Sequence, residues 1–138
     1  MAKDKFHYTV RRALEKEGWE ITHDPLRLEF SEEDRVEVDL GAQQVLAAQR
    51  IDEKIAVEIK SFLSDSALLD FHLALGQFLN YRLVLQKMEP DRILYLAVPL
   101  NAHKSFFGRD LPRLAVQQYQ LKLIVYDEEK EEIAAWIN

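Results

Sequence analysis

Ile55-Ala56-Val57-Glu58-Ile59-Lys60, read beside Val36-Glu37-Val38-Asp39-Leu40, decides the fold of this 138-residue chain. Successive side chains of a strand point to opposite faces. Ile55, Val57 and Ile59 therefore share one face, and Glu58 and Lys60 share the other. In the same way Val36, Val38 and Leu40 oppose Glu37 and Asp39. If the two strands pair, Asp39, Glu58 and Lys60 converge on one polar patch. Two carboxylates and an ammonium group suit metal-assisted phosphodiester hydrolysis. Asp39 and Glu58, with a backbone carbonyl such as that of Ile59, are hard oxygen ligands for Mg²⁺ or Mn²⁺. A metal so held polarises a phosphate and acidifies a bound water, and Lys60 stabilises the developing charge or positions that water. The competing reading is a solvated sheet face on which Glu58 and Lys60 pair only weakly.

The flanking sequence bears on that choice. Ser66 to Met88 is the longest helix candidate, with Leu69, Leu73, Phe78, Tyr81 and Leu85 as an apolar stripe, Ser64 or Ser66 as cap and Pro90 as stop. Arg92 to Val98 is almost continuously apolar, as expected of a strand covered on both faces. Ionisable groups under such cover are costly unless paired or bound to metal. Further out, Phe6, Val10, Ala13 and Leu14 repeat at helical spacing before Gly18. Trp19 to His23 alternates like a strand, which Asp24-Pro25 breaks. Ala42 to Arg50 has the composition of a short helix. Short helices are predicted within His103–Phe107 and over Leu111–Gln118, and the strands Lys122–Tyr126 and Ile133–Ile137 flank a solvated acidic turn at Asp127–Glu132. The order α-β-β-β-α-β-α-β-β implies one α/β domain over residues 1–138, a three-layer α/β/α sandwich around a central mixed sheet.

Composition narrows the function. The absence of cysteine excludes disulfide scaffolds, thiol nucleophiles and cysteine-bearing metal sites. With 18 Lys+Arg against 24 Asp+Glu, the net charge of −6 is not the broad basic footprint of a protein that holds nucleic acid mainly through phosphates. A local basic groove on an acidic body stays compatible with it. No apolar run is long enough to span a bilayer, and Met1–Lys5 leads into an amphipathic pattern rather than a signal-peptide core. A cytoplasmic protein without membrane contact is expected. No glycine-rich phosphate loop occurs. His7, His23, His72 and His103 lack a shared metal-ligand spacing. Trp19 and Trp136 read as core anchors or interface residues.

The pattern Asp39…Glu58-Ile59-Lys60, one strand apiece with a helix before and after, resembles the PD-(D/E)XK nuclease superfamily, the restriction-endonuclease-like fold. Gln77-Phe78-Leu79-Asn80-Tyr81 is similar to the Gln-x-x-x-Tyr element of its RecB-like branch. Residues four apart share a helix face, so Gln77 and Tyr81 point the same way. Along the whole chain, Phe6-His7, Gly18-Trp19, Thr22-His23-Asp24-Pro25, Asp39-Leu40-Gly41-Ala42, Ala56–Phe62, Ala74–Arg82, Leu94–Ala97 and Leu123–Tyr126 resemble the XisH family, the fdxN element excision controlling factors.

That resemblance implies a role in programmed removal of a DNA element by a separate site-specific recombinase, with the small protein XisI as companion. It implies Asp39, Glu58, Lys60 and Gln77 as the catalytic set, Gln77 orienting a phosphate, a water or a metal-bound group. Mg²⁺ or Mn²⁺ is the implied cofactor and DNA the implied substrate. Two departures stand out. Many Holliday-junction-resolvase-like relatives carry a first-helix glutamate near the position of His7, and Glu15 and Glu17 lie nearer the end of that helix. One metal, or none, is therefore implied. The proline of the family pattern is also missing, since Glu37-Val38 precedes Asp39. His7, Tyr81 and Arg82 are accessory candidates, Arg82 as a phosphate contact or a solvated helix residue. The alternative is a catalytically inactive nuclease-fold accessory protein that regulates the recombinase through protein contacts. A third reading is a homo-oligomer whose polar strand face is an interface.

Overall fold

The first helix, α1 (His7–Lys16), turns Val10, Ala13 and Leu14 to one side, and all three are fully buried. Gly18 follows at φ +89°, the left-handed backbone that ends helices and that side chains resist. The computed structural model describes residues 3–45 and 52–138. After α1 come β1 (Glu20–His23), β2 (Leu26–Glu29), β3 (Arg35–Val38), β4 (Leu40–Val45), β5 (Asp52–Ile59), α2 (Ala67–Met88), β6 (Arg92–Pro99), α3 (Leu100–Ser105), α4 (Asp110–Gln118), β7 (Leu123–Asp127) and β8 (Glu132–Ile137).

Six strands form the main sheet in the order β1-β4-β5-β6-β7-β8, and β2-β3 form a separate two-stranded sheet. β5, β6 and β7 run parallel at the centre, with antiparallel neighbours on both sides. On one face, α1 and Trp19 bury Leu40, Ile55, Val57, Ile59, Ile124 and Tyr126. On the other, Phe71, Ala74, Phe78 and Leu85 of α2, Phe106, Phe107 and the β2-β3 hairpin bury Ala56, Leu94, Leu96, Val98, Leu123 and Val125. The result is the expected α/β/α sandwich around a mixed sheet. Among the described residues, no helix is long and apolar enough to cross a membrane.

Four local expectations are corrected. Val36–Leu40 is not one strand. β3 ends at Val38 and pairs with β2, Leu26 opposite Val38 and Leu28 opposite Val36, whereas Leu40 opens β4 and pairs with Val57. Val38 and Leu40, two residues apart, belong to cores on opposite faces of the sheet, and Asp39 stands at the joint. β2 (Leu26–Glu29) is a strand beyond those the sequence pattern predicts. Ala42–Val45 is strand, not helix, because pairing with β1 on one side and β5 on the other overrides local propensity; positions 46–50 of that expected helix lie outside the described residues.

In α2 the inward stripe is Phe71, Ala74, Phe78 and Leu85, while Leu69 and Leu73 are 57% and 59% exposed. Leucines occur all round this helix, so spacing alone did not set its phase. The helix expected within His103–Phe107 begins earlier, at Leu100, directly after β6.

Ser66 caps α2, its Oγ accepting from the Leu69 N–H at 3.1 Å. Ser66→Ala removes the acceptor for one of the orphan first-turn amides and is expected to lower stability by about 1 kcal/mol, measured as a shift of the urea midpoint without change of slope.

Candidate functional site

The joint between β3 and β4 puts Asp39 beside the end of β5. Asp39 Oδ2 accepts from the Ile59 N–H at 2.7 Å, and Glu58 Oε1 accepts from the Asp39 N–H at 3.3 Å. Each acid is thus tied to the other's segment by a main-chain amide. Ala56, on the same side of β5 as Glu58, lies in the α2-facing core, which carries the Glu58 side chain into cover, 5% exposed.

Burial, followed by the charge of Asp39, pushes the Glu58 carboxyl up to about 8, against the opposing pull of Lys60. Burial likewise raises Asp39, although the Ile59 amide, the Glu58 hydrogen bond and the charges of His7 and Lys60 pull it down. Two acids this close, under this much cover, do not both ionise readily, so the pair keeps a proton near neutral pH.

A cavity of about 430 Å³ opens over the pair. Asp39, Glu58, Ile59, Lys60, His7, Gln77 and Tyr81 all line it, so the structure brings together every candidate residue except Arg82. Gln77 and Tyr81 reach it from the same face of α2. Among the described residues, the buried Gln77 Oε1 atom has no hydrogen-bond partner. Burial, with the charges of Glu58, Asp39 and Glu37, pushes the Tyr81 hydroxyl up to about 12, so it stays a donor at any ordinary pH.

Arg82 is elsewhere. One residue further round α2, its Nη1 donates to the carbonyls of Tyr119 and Gln120 at 2.9 and 3.2 Å, at the end of α4. Glu17 is likewise outside the cavity, where its carboxylate accepts from the Trp136 indole.

Sequence reasoning missed the support for the cavity wall. His7, 2% exposed, shares a 2.7 Å hydrogen bond between its Nε2 and Asp24 Oδ1. Arg11, one turn further along α1, donates to Asp24 Oδ2 at 2.7 Å, and Lys3 Nζ lies 3.7 Å from Oδ1. The signal available was the His7/Arg11 spacing of four on one helix face, with Asp24 at the strand break. Lys3, Asp4, Asp24, Pro25, Arg27 and Glu37 complete the lining.

Burial favours the neutral Asp24 carboxyl, but hydrogen bonds from Arg11 and His7 and the charges of His7 and Lys3 outweigh it, leaving the group below its ordinary value. Ionised Asp24 therefore contributes stability that is present above its unfolded pKa and is lost as pH falls through the lower folded one. Asp24→Asn leaves Arg11 with a weaker acceptor. It is expected to lower stability by about 1–2 kcal/mol at neutral pH and much less near about pH 3, as read by urea unfolding at the two pH values.

In type, the donors suit a hard divalent cation: two adjacent carboxylates held at raised pKa and an acceptor oxygen with no donor, on one cavity. Among the described residues, no group of three or more His, Cys, Asp or Glu side chains is placed to hold a metal ion, so a main-chain carbonyl or water must complete any coordination.

The family described as XisH protein matches residues 1–134 of the chain. Two solved structures are similar over essentially the whole length. One is an XisH family protein from Nostoc punctiforme PCC 73102, 47% identical, with 98% of this chain and 100% of that one covered and a TM-score of 0.87. The other is a fdxN element excision controlling factor protein from Anabaena variabilis, 48% identical, with 99% and 100% covered and a TM-score of 0.87. No curated protein matches the chain.

Proposed function

This chain belongs to the XisH family, and from that premise we propose that it is a cytoplasmic factor controlling excision of a DNA element, built on a restriction-endonuclease-like site that hydrolyses phosphodiesters with a metal ion. The name carried by the Anabaena variabilis relative supports excision control. The observation that carries the hydrolytic reading is the buried Asp39–Glu58 pair at raised pKa, sharing one cavity with Lys60 and Gln77.

Asp39, Glu58 and the Ile59 carbonyl would hold Mg²⁺ or Mn²⁺, which when bound polarises a phosphate and makes a water more acidic. Lys60 supplies a compact cation for charge that develops on the phosphate. Gln77 Oε1, lacking a donor among the described residues, accepts a hydrogen bond from the attacking water and orients it. The Tyr81 hydroxyl, held protonated, donates to a phosphate oxygen.

The test incubates pure protein with branched, nicked and linear DNA in Mg²⁺ or Mn²⁺, alongside titration of the metal. Cleavage abolished by Lys60→Ala supports the reading. Cleavage that survives it removes the role of Lys60, and neither cleavage nor metal binding ends the nuclease proposal.

One observation favours a second reading, a non-catalytic accessory that regulates the recombinase together with XisI. His7 stands where many resolvase-like relatives carry a glutamate, and its Nε2 is taken up by Asp24. Co-purification with XisI or the recombinase, unaffected by Asp39→Ala in a protein that does not cleave, is its expected signature.

A further inference from the structure

The two edges of the main sheet are unequal. β1 is four residues long, with an irregular register between Ile21 and His23. β8 is six residues long, and five of them in a row, Ile133-Ala134-Ala135-Trp136-Ile137, are apolar. It carries no lysine and no proline, the residues that commonly keep a sheet edge from pairing with another chain. Its one irregularity is a register shift against β7 between Val125 and Tyr126, and Ala134 and Ala135 on it are exposed.

Beside this edge lies a groove of about 990 Å³, larger than the cavity over Asp39 and Glu58. Leu79, Leu83 and Val116 contribute apolar lining, Arg82 and Lys122 contribute cationic lining, and Ile137, the last residue of β8, lines it too. None of its lining residues is an Asp or Glu, although the chain has 24 of them.

The acids sit at the other end of the same strand. Leu123 opposes Ile137 and Asp127 opposes Glu132, so Lys122 marks one end of β8 and the turn Asp127-Glu128-Glu129-Lys130-Glu131-Glu132 marks the other. Glu131 is held by Arg12, while Glu129 and Glu132 are exposed.

We infer that the occupant of this edge is a second copy of the chain, its β8 antiparallel to the first. Antiparallel pairing of one strand with its own copy is isologous, so each contact occurs twice. It carries the acidic turn of each copy to the groove of the other, whose lining has no Asp or Glu side chain and where Lys122 and Arg82 meet Glu129 and Glu132. It also gives the unpaired edge amides and carbonyls partners and joins the two sheets into one. A parallel arrangement would instead bring the two acidic turns together, and like charges disfavour that.

Sedimentation equilibrium tests this on the full chain. The expected result for the wild type is a species of two 16.2 kDa chains in reversible equilibrium with monomer. Ala135→Lys, a charge at the middle of the edge, is expected to raise the dimer dissociation constant roughly 100-fold. Lys122→Glu is expected to raise it about 10-fold, and Glu132→Lys in the same chain to restore most of the loss. Circular dichroism checks that each variant folds. If Ala135→Lys does not fold, the charge exchange decides alone. A wild type that stays monomeric at the highest soluble concentration overturns the inference and leaves the edge to a different protein. A dimer indifferent to both Ala135→Lys and Lys122→Glu overturns it by placing the interface elsewhere.

Discussion

If the proposed hydrolytic function holds, Lys60→Ala is expected to lower the single-turnover rate of DNA cleavage by about 100- to 1,000-fold, with divalent-ion binding retained. Lys60 follows β5 directly, and its own N–H donates to the Ala97 carbonyl at 3.0 Å, so the backbone is pinned to β6 at that point. The side chain lines the cavity, and its charge acts on both Asp39 and Glu58. Removing the cation therefore leaves the acids in place and takes away the group that, in the proposed function, meets negative charge as it develops on phosphate. Such a loss falls on kcat rather than KM. The acids, with one positive neighbour fewer, are expected to bind Mn²⁺ at least as tightly when titrated above their own pKa values. Lys60→Arg keeps the charge but replaces a compact ammonium by a planar fork, so recovery is expected to be partial. Wild-type rates in Lys60→Ala, under conditions where substrate is saturating, would remove Lys60 from the reaction.

The same few residues explain what the sequence allowed to be read. Alternation over Ile55–Lys60 was legible because the two faces of β5 differ in chemistry: Ile55, Val57 and Ile59 enter one core, while Glu58 leaves the opposite face. The joint at Asp39 was not legible, because apolar and acidic residues keep alternating straight through it. Val38 and Leu40 satisfy a period of two while packing into different layers, and only the long-range pairings Leu26–Val38 and Leu40–Val57 distinguish the two halves. The approach of Asp39 to Glu58 was anticipated despite that error, since Asp39 reaches Glu58 from a joint as well as it would from a paired strand. Gln77 and Tyr81 were placed by helical spacing, which is local. Asp24 was missed because its role depends on Lys3, His7 and Arg11 approaching from another element. Contacts of that kind leave no period in the sequence.

Glu58→Gln is expected to make the metal-free protein more stable, not less, at alkaline pH. The folded carboxyl sits at about 8 and the ordinary value is 4.5. Below the lower value both folded and unfolded chains hold the proton, and above the upper one neither does. In between, only the folded chain holds it, so stability falls as pH rises through that window. At about 1.4 kcal/mol per pH unit, with allowance for the shared titration of Asp39, the wild type is expected to lose about 2–4 kcal/mol across it.

Glutamine keeps the volume and the oxygen that accepts from the Asp39 N–H, and it has no charge to bury. Its stability is therefore expected to be nearly flat over the same range. The variant should match the wild type near about pH 4 and exceed it by that 2–4 kcal/mol near about pH 9, as urea unfolding at the two pH values reports. On the proposed metal-binding reading, Mn²⁺ is expected to reverse the order: binding to the ionised pair in the folded state alone would raise the melting temperature of the wild type and leave Glu58→Gln unmoved. A variant less stable than metal-free wild type at alkaline pH would mean that Glu58 is held as a stabilised carboxylate. In that case the buried pair has some other partner within the protein, and the reason for assigning it to a cation disappears. The gain without metal and the loss of response to metal come from one cause, a charge kept under cover where folding alone does not favour it.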